Sequence, residues 1–283
     1  MKNVKLNNGV EIPILGFGTY QITDPKEAEA SVASALKVGY RHIDTAQGYQ
    51  NEEAVGKAIN NSGIDRSEIF VTTKVWVQNI SYQGVKDSME LSFKKLNLDY
   101  IDMVLLHQPY NDSYGAWRAL EELQEEGKIR AIGVSNFSID KTVDLAEFNK
   151  VTPQMNQIQI NPFYQRKEAI EAFKAEGIML EAWAPFAEGK NNIFSNEVLQ
   201  SIGDKYNKSI AQVIERWLVE QDIVVLAKST HEDRMRENFD IFDFELDDDD
   251  KQKISSIKQE SLFFSHNDTD IIKRMASYHI DNI

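Results

Sequence analysis

Four residues carry groups able to deliver a proton to a carbonyl oxygen: Asp44, Tyr49, Lys74 and His107. A free phenol has a pKa of about 10 and is a poor acid at neutral pH. A neighbouring ammonium stabilises the phenolate, and a carboxylate beyond the ammonium keeps the lysine charged and in place. Asp44–Lys74–Tyr49 would then form a tuned proton donor, with the Tyr49 pKa brought down. His107 could hydrogen-bond a substrate carbonyl beside the phenol and fix its orientation. The sequence supplies neither a metal set nor a candidate nucleophile for the other half of such a reaction. A hydride would therefore come from a bound cofactor. Two alternatives stand beside this one: a Schiff-base aldolase using Lys74, and a non-catalytic barrel that binds the cofactor.

The elements that must position these groups alternate. Short apolar runs occupy 14–18, 41–45, 69–75, 101–108, 129–135, 155–160, 178–184 and 223–228, with amphipathic helical stretches such as 26–38, 82–96, 114–126, 167–175 and 209–220 between them. The joints "ALKVGYRHID", "LQEEGKIRAIGV" and "FKAEGIMLEAW" each run helix, glycine, strand, as glycine at a left-handed helix terminus allows. Eight strands with crossover helices fit a (β/α)₈ barrel, an α/β fold with a parallel sheet. A doubly wound open sheet competes, but "GFGTYQ" has only two of the glycines of a G-x-G-x-x-G turn and no helix follows at once. In a barrel the C-terminal strand ends carry the active site. They present Asp44 with Tyr49 in the next loop, then Lys74, His107, Ser135 with Asn136, Asn156 with Gln157, Trp183, and Lys228 with Ser229. Each residue alone also has a plain reading, as solvated lysine, capping histidine or packing tyrosine.

Residues 1–283 read as one barrel domain, with 1–13 as a hairpin cap turning at Asn8-Gly9. The tail from Ser261 reads as irregular and aromatic, long enough to fold back over the barrel. "ELDDDDKQKI" reads as helix cap and dipole partner, with no metal expected there. A net charge of -14 argues against nucleic acid and anionic membrane as partners. The first residues lack a signal-peptide core, and the longest apolar run, "IDMVLL", is far below the roughly 18 residues of a membrane span. Zero cysteines exclude disulfides and thiolate chemistry. A soluble, cytoplasmic monomer is the expectation.

Three stretches carry a resemblance to a known family. "GYRHIDTAQGYQNEEAVG" (39–56), "GKIRAIGVSNF" (127–137) and "LAKSTHEDRMRENF" (226–239) resemble, in order, the three signatures of the aldo-keto reductases. The chain is most similar to short bacterial members of the 2,5-diketo-gluconate reductase kind. The resemblance implies an NADP(H)-dependent oxidoreductase that reduces aldehydes or ketones to alcohols and can run in reverse with NADP⁺. It implies Tyr49 as general acid, Lys74 and Asp44 as its tuning pair, and His107 as the carbonyl-orienting group. Ser135, Asn136 and Gln157 match positions that bind the nicotinamide carboxamide, Trp183 the aromatic on which that ring stacks, and Gly18 and Thr19 further cofactor-binding positions. Lys228, Ser229, Arg234, Glu237 and Asn238 match the adenosine end, whose cations suit a 2′-phosphate. Tyr20, Gln47, Trp76 and Tyr110 would line the substrate pocket, and 261–283 would shape substrate choice. Departures are Ala227 where a proline is usual, Thr230 and His231 after Ser229, Tyr20 where many members have tryptophan, and a short loop after His107.

Overall fold

The computed structural model describes residues 2–258 and 263–283. The chain opens with β1 (Asn3–Lys5) and β2 (Glu11–Pro13), an antiparallel hairpin. Its turn is not the two-residue Asn8-Gly9 connection expected. The Gly9 N–H donates to the Leu6 carbonyl at 2.9 Å, so Asn7 and Asn8 are the central residues, and Gly9 follows at φ 89°. Placing the positive φ after the turn, where glycine carries it without strain, gives the longer hairpin loop.

The barrel then runs β3 (Leu15–Gly18), α1 (Pro25–Val38), β4 (His42–Asp44), α2 (Glu52–Asn60), β5 (Phe70–Val75), α3 (Tyr82–Leu96), β6 (Ile101–Leu106), α4 (Ser113–Glu125) and β7 (Ile129–Ser135). It continues with α5 (Ile139–Glu147), β8 (Met155–Gln159), α6 (Lys167–Ala175), β9 (Met179–Trp183), α7 (Glu197–Tyr206), α8 (Ile210–Val219), β10 (Val224–Ala227) and α9 (Glu232–Phe239). The strands β3 to β10 are all parallel and close on themselves, with β10 pairing both β9 and β3. Burial on both faces is why they read as near-continuous apolar runs. The three αβ-joint glycines, Gly39, Gly127 and Gly177, all have positive φ, as the sequence suggests.

Side chains alternate between the helix layer outside and the barrel interior. The floor of the interior is apolar: Phe70, Met103, Leu105, Ala131, Met155 and Val224 pack on Leu6 and Ile12 of the hairpin, which plugs that end. Above the floor the inward residues turn polar, and the site lies there.

After the barrel comes α10 (Asp248–Ser255), capped by Asp247 in a reciprocal capping box with Asp250. The acidic run is thus a helix start, and Lys205 Nζ reaches Asp247 at 2.5 Å and Asp250 at 2.8 Å. The C-terminal segment was expected to be irregular, but it forms α11 (Thr269–Ser277), N-capped by Asp268. Ile271 and Met275, one turn apart, give this helix its half-buried side, and such a short apolar stripe is weak in sequence. Ser261 and Leu262 of the expected tail lie outside the described residues. Beyond α11, Ile280 is buried against Trp76 and Val77, and exchanges two hydrogen bonds with the Gln78 side chain. The segment thus lies over the barrel mouth. Among the described residues no helix is long and apolar enough to cross a membrane.

Candidate active site

Asp44 ends β4 facing inward. The chain then makes one 3₁₀ turn at Gln47–Tyr49, closed by Gln50 at φ 56°. Asn51 fastens this turn, its side chain accepting from Thr45 Oγ1 at 2.7 Å and donating to the Thr19 and Ile22 carbonyls. Gly48 passes so close to Trp76 that a Cβ would lie 2.8 Å from the indole. The turn swings Tyr49 back over the strand end. Lys74, fully buried on β5, donates from Nζ to Asp44 Oδ1 at 2.5 Å, to the Thr45 carbonyl at 3.0 Å and to Tyr49 Oη at 3.2 Å. His107 follows β6, its N–H bonded to the Val75 carbonyl. Its ring stands edge-on to Tyr49 at 5.6 Å and to Trp76 at 5.2 Å. The four residues singled out from the sequence are therefore in one place.

Their electrostatics differ from the sequence expectation in one respect. Burial pushes the Tyr49 phenol up to about 12; the Lys74 ammonium opposes this and the Asp44 charge adds to it. The lysine does pull the pKa down, but loss of water outweighs it, so Tyr49 is a protonated phenol at neutral pH. Burial works to lower Lys74, yet Asp44 and Tyr49 more than compensate and its ammonium is raised. Burial, then the Lys74 charge, holds His107 well below the usual histidine range, so its imidazole is neutral. Burial pushes Asp44 up while Lys74 and Gln157 pull it back.

Around this centre the remaining residues fall into groups. Ser135 ends β7 and Asn136 follows it; Asn136, at φ 65°, donates to the His107 carbonyl and Ser135 Oγ and accepts from Trp183 Nε1 at 2.9 Å. Gln157 lies inside the barrel, whereas Asn156 points outward to the Phe137 carbonyl and Thr142. Trp183 ends β9 half-buried, with Phe263 of the C-terminal segment stacked near it at 6.2 Å. Lys228 and Arg234 are exposed and make no ion pair among the described residues; Ser229 and Asn238 are buried and Glu237 is exposed. Gly18 ends β3, and Thr19 after it is fully buried, donating through N and Oγ1 to the Asp44 carbonyl. Tyr20 is exposed, its ring 5.1 Å from Tyr49. Trp76 and Tyr110 meet the C-terminal segment, through Tyr278 at 6.0 Å and through the His266 carbonyl at 2.9 Å.

Gln47 is not brought to the pocket. Its side chain is buried, accepting from the Trp76 N–H and Asn79 and donating to Ser92, so it holds Trp76 from behind. The sequence reading also missed two inward residues, His42 on β4 and Glu181 on β9, both fully buried beneath the Asp44–Lys74 pair. The signal was present: each lies two residues before a strand-end site residue, hence on the same face of its strand.

A model of the aldo/keto reductase family matches residues 14–259. The chain is 45% identical over 258 residues to the glyoxal reductase of Bacillus subtilis (strain 168), covering 91% of this chain and 93% of that one. It is 40% identical over 259 residues to the methylglyoxal reductase DkgA of Escherichia coli (strain K12), with 90% and 93% covered. A crystal structure of a Bombyx mori aldo-keto reductase in complex with NADP superposes with a TM-score of 0.89 at 31% identity, covering 96% of each chain. With the barrel, the gathered Asp44, Tyr49, Lys74 and His107, and these likenesses, the chain belongs to the aldo/keto reductase family.

Proposed function

We propose that the protein is an NADPH-dependent reductase of aldehydes and ketones, small dicarbonyls such as glyoxal and methylglyoxal foremost, with Tyr49 as general acid. One observation carries this: Lys74 Nζ lies within hydrogen-bonding distance of both Asp44 and Tyr49 at the open end of the barrel. The names of the two bacterial relatives support the substrate class. The NADP-bound Bombyx mori structure supports the cofactor.

The residues present fit that cofactor. Ser135, Asn136 and Gln157 offer the hydroxyl and amide groups that a carboxamide needs. Gln157 Nε2 is engaged by Asp44 at 3.0 Å and Glu181 at 2.6 Å, so its carbonyl oxygen is the atom left to accept from the ligand. Trp183 offers a flat ring. His231 caps α9 without a side-chain bond, leaving first-turn N–H groups of that helix open beside the cations Lys228 and Arg234. A 2′-phosphate suits such a place, which favours NADPH over NADH. NADPH, when bound, supplies the hydride.

Tyr49 Oη and the neutral His107 imidazole hold the carbonyl oxygen. As the C–H bond forms, Tyr49 gives that oxygen its proton, and the phenolate left behind is met by the Lys74 ammonium, itself held by Asp44. In the reverse direction the phenolate takes the alcohol proton. Lys74 is a poor Schiff-base nucleophile, since its charged nitrogen already serves three acceptors. The enzyme is a cytoplasmic monomer in which residues 1–283 form one domain. NADPH consumption with methylglyoxal, phenylglyoxal and nitrobenzaldehyde tests it. Turnover by the wild type and none by Tyr49→Phe is expected; equal rates would refute the role of Tyr49.

A further inference from the structure

The floor of the site holds one carboxylate more than the tuning pair requires. Glu181 on β9 is fully buried and lies opposite Gln157 in the β8–β9 register. The amide nitrogen of Gln157 bridges two acids, Asp44 Oδ2 at 3.0 Å and Glu181 Oε2 at 2.6 Å. Among the described residues Glu181 Oε1 has no hydrogen-bond partner, and it stands 3.7 Å from His42 Nε2. That imidazole is itself packed tightly, since a Cβ on Gly16 would lie 2.5 Å from its Nδ1. The titratable groups facing Glu181 are His42 and Asp44 of β4 and Lys74 of β5. Its strand neighbours β8 and β10 present Gln157 and Val224.

Charge can be counted within this closed space. Lys74 is the one ammonium among these groups, and Asp44 holds it at 2.5 Å. His42 adds no positive charge, because burial and then Lys74 hold its imidazole down to about 3. A second carboxylate here would be a buried charge with no cation of its own, which folded proteins avoid by keeping the proton.

We propose that Glu181 is a positioning residue of this site, present as a neutral carboxylic acid that anchors Gln157 and through it Asp44, and that its ionisation at alkaline pH weakens the Tyr49 acid. Burial, then the Asp44 charge, pushes the Glu181 carboxyl up to about 8, against the pull of Gln157 and Lys74. Below that value the Asp44–Lys74 pair is electrically balanced. Above it a second negative charge reaches Lys74 and Tyr49, and the phenol holds its proton more tightly.

The inference rests on Tyr49 as proton donor, and one arm of its test does not. In the enzyme without cofactor, infrared titration from about pH 6 to about pH 10 should show a protonated-carboxyl carbonyl band that disappears through about pH 8 and is missing in Glu181→Gln. If no band is lost on substitution, Glu181 is already ionised and the proposal fails, whatever the enzyme reduces. In the second arm, the ratio of kcat at about pH 9 to kcat at about pH 6.5 should rise about tenfold in Glu181→Gln over wild type. Glu181→Met should also lose the alkaline decline, and in addition raise KM for NADPH because Gln157 loses its anchor. An alkaline limb unmoved in both variants would overturn the proposal, as would a uniform drop in kcat with no change in pH profile.

Discussion

Replacing Asp44 by Asn would remove the charge that holds Lys74 while keeping the shape of the side chain. The ammonium would be left fully buried, and breaking a buried pair by deleting one partner usually costs about 3–5 kcal/mol. Here a second acid waits one amide away. Glu181 shares the Gln157 nitrogen with Asp44, and the Asp44 charge is one of the two influences that keep it protonated. With that charge gone Glu181 can ionise and balance Lys74. Its desolvation remains, so the relief is partial, and Asp44→Asn alone should cost about 2 kcal/mol at neutral pH. In a Glu181→Gln background no carboxylate is left, and the same change should cost the full 3–5 kcal/mol, about. Urea unfolding of the four proteins of this double-mutant cycle measures the difference directly. Coupling of at least about 1 kcal/mol is expected; additivity within about 0.5 kcal/mol would refute the shared charge balance.

Two further outcomes follow from other parts of the molecule. Glu215 on α8 is fully buried, neither of its oxygens has a hydrogen-bond partner among the described residues, and burial, then Glu237, pushes its carboxyl well above the usual range. The folded state therefore keeps a proton that the unfolded chain releases, so stability falls as pH rises past the unfolded carboxyl value of about 4.3. Glu215→Gln should raise Tm, and by more at about pH 8 than at about pH 4.5; an equal gain at both would contradict this. Lys228→Ala and Arg234→Ala should each raise KM for NADPH roughly tenfold to a hundredfold, with little change in KM for NADH, since each removes a charge-assisted bond to the 2′-phosphate. An equal rise for both cofactors, read from initial rates, would place the phosphate elsewhere.

How much of this was legible in the sequence depended on where each residue sits along its strand. Asp44, Lys74, His107, Ser135 and Trp183 could be read because they end apolar runs or lie within a residue of the end, and the barrel's strand ends converge. The alternation of helix, glycine and strand implied a parallel sheet, and the count of eight strands with no full G-x-G-x-x-G turn favoured its closure. Glu181 and His42 were hidden for the opposite reason. They lie inside runs that read as strand interior; the two-residue spacing from Asp44 and Trp183 puts them on the site's face, and the depth of the barrel adds that this face is shut off from water there. Depth also reversed the expected direction for Tyr49, because the spacing of charges can be read from sequence but the cost of burial cannot. Gln47, placed beside Tyr49 by proximity in the chain, was turned away by the 3₁₀ turn. The helix Thr269–Ser277 escaped notice because it has one half-buried apolar pair and its stability comes from the barrel mouth beneath it.

The central claim is that Tyr49, held by Lys74, supplies the proton. The most direct measurement is a single-turnover reaction of NADPH-loaded enzyme with methylglyoxal, wild type against Tyr49→Phe, with NADPH affinity determined in parallel by fluorescence titration. Cofactor affinity should stay within about threefold, while the rate of reduction falls about 10²–10⁴-fold, the range for losing a positioned general acid. Comparable single-turnover rates, with cofactor equally bound, would contradict it.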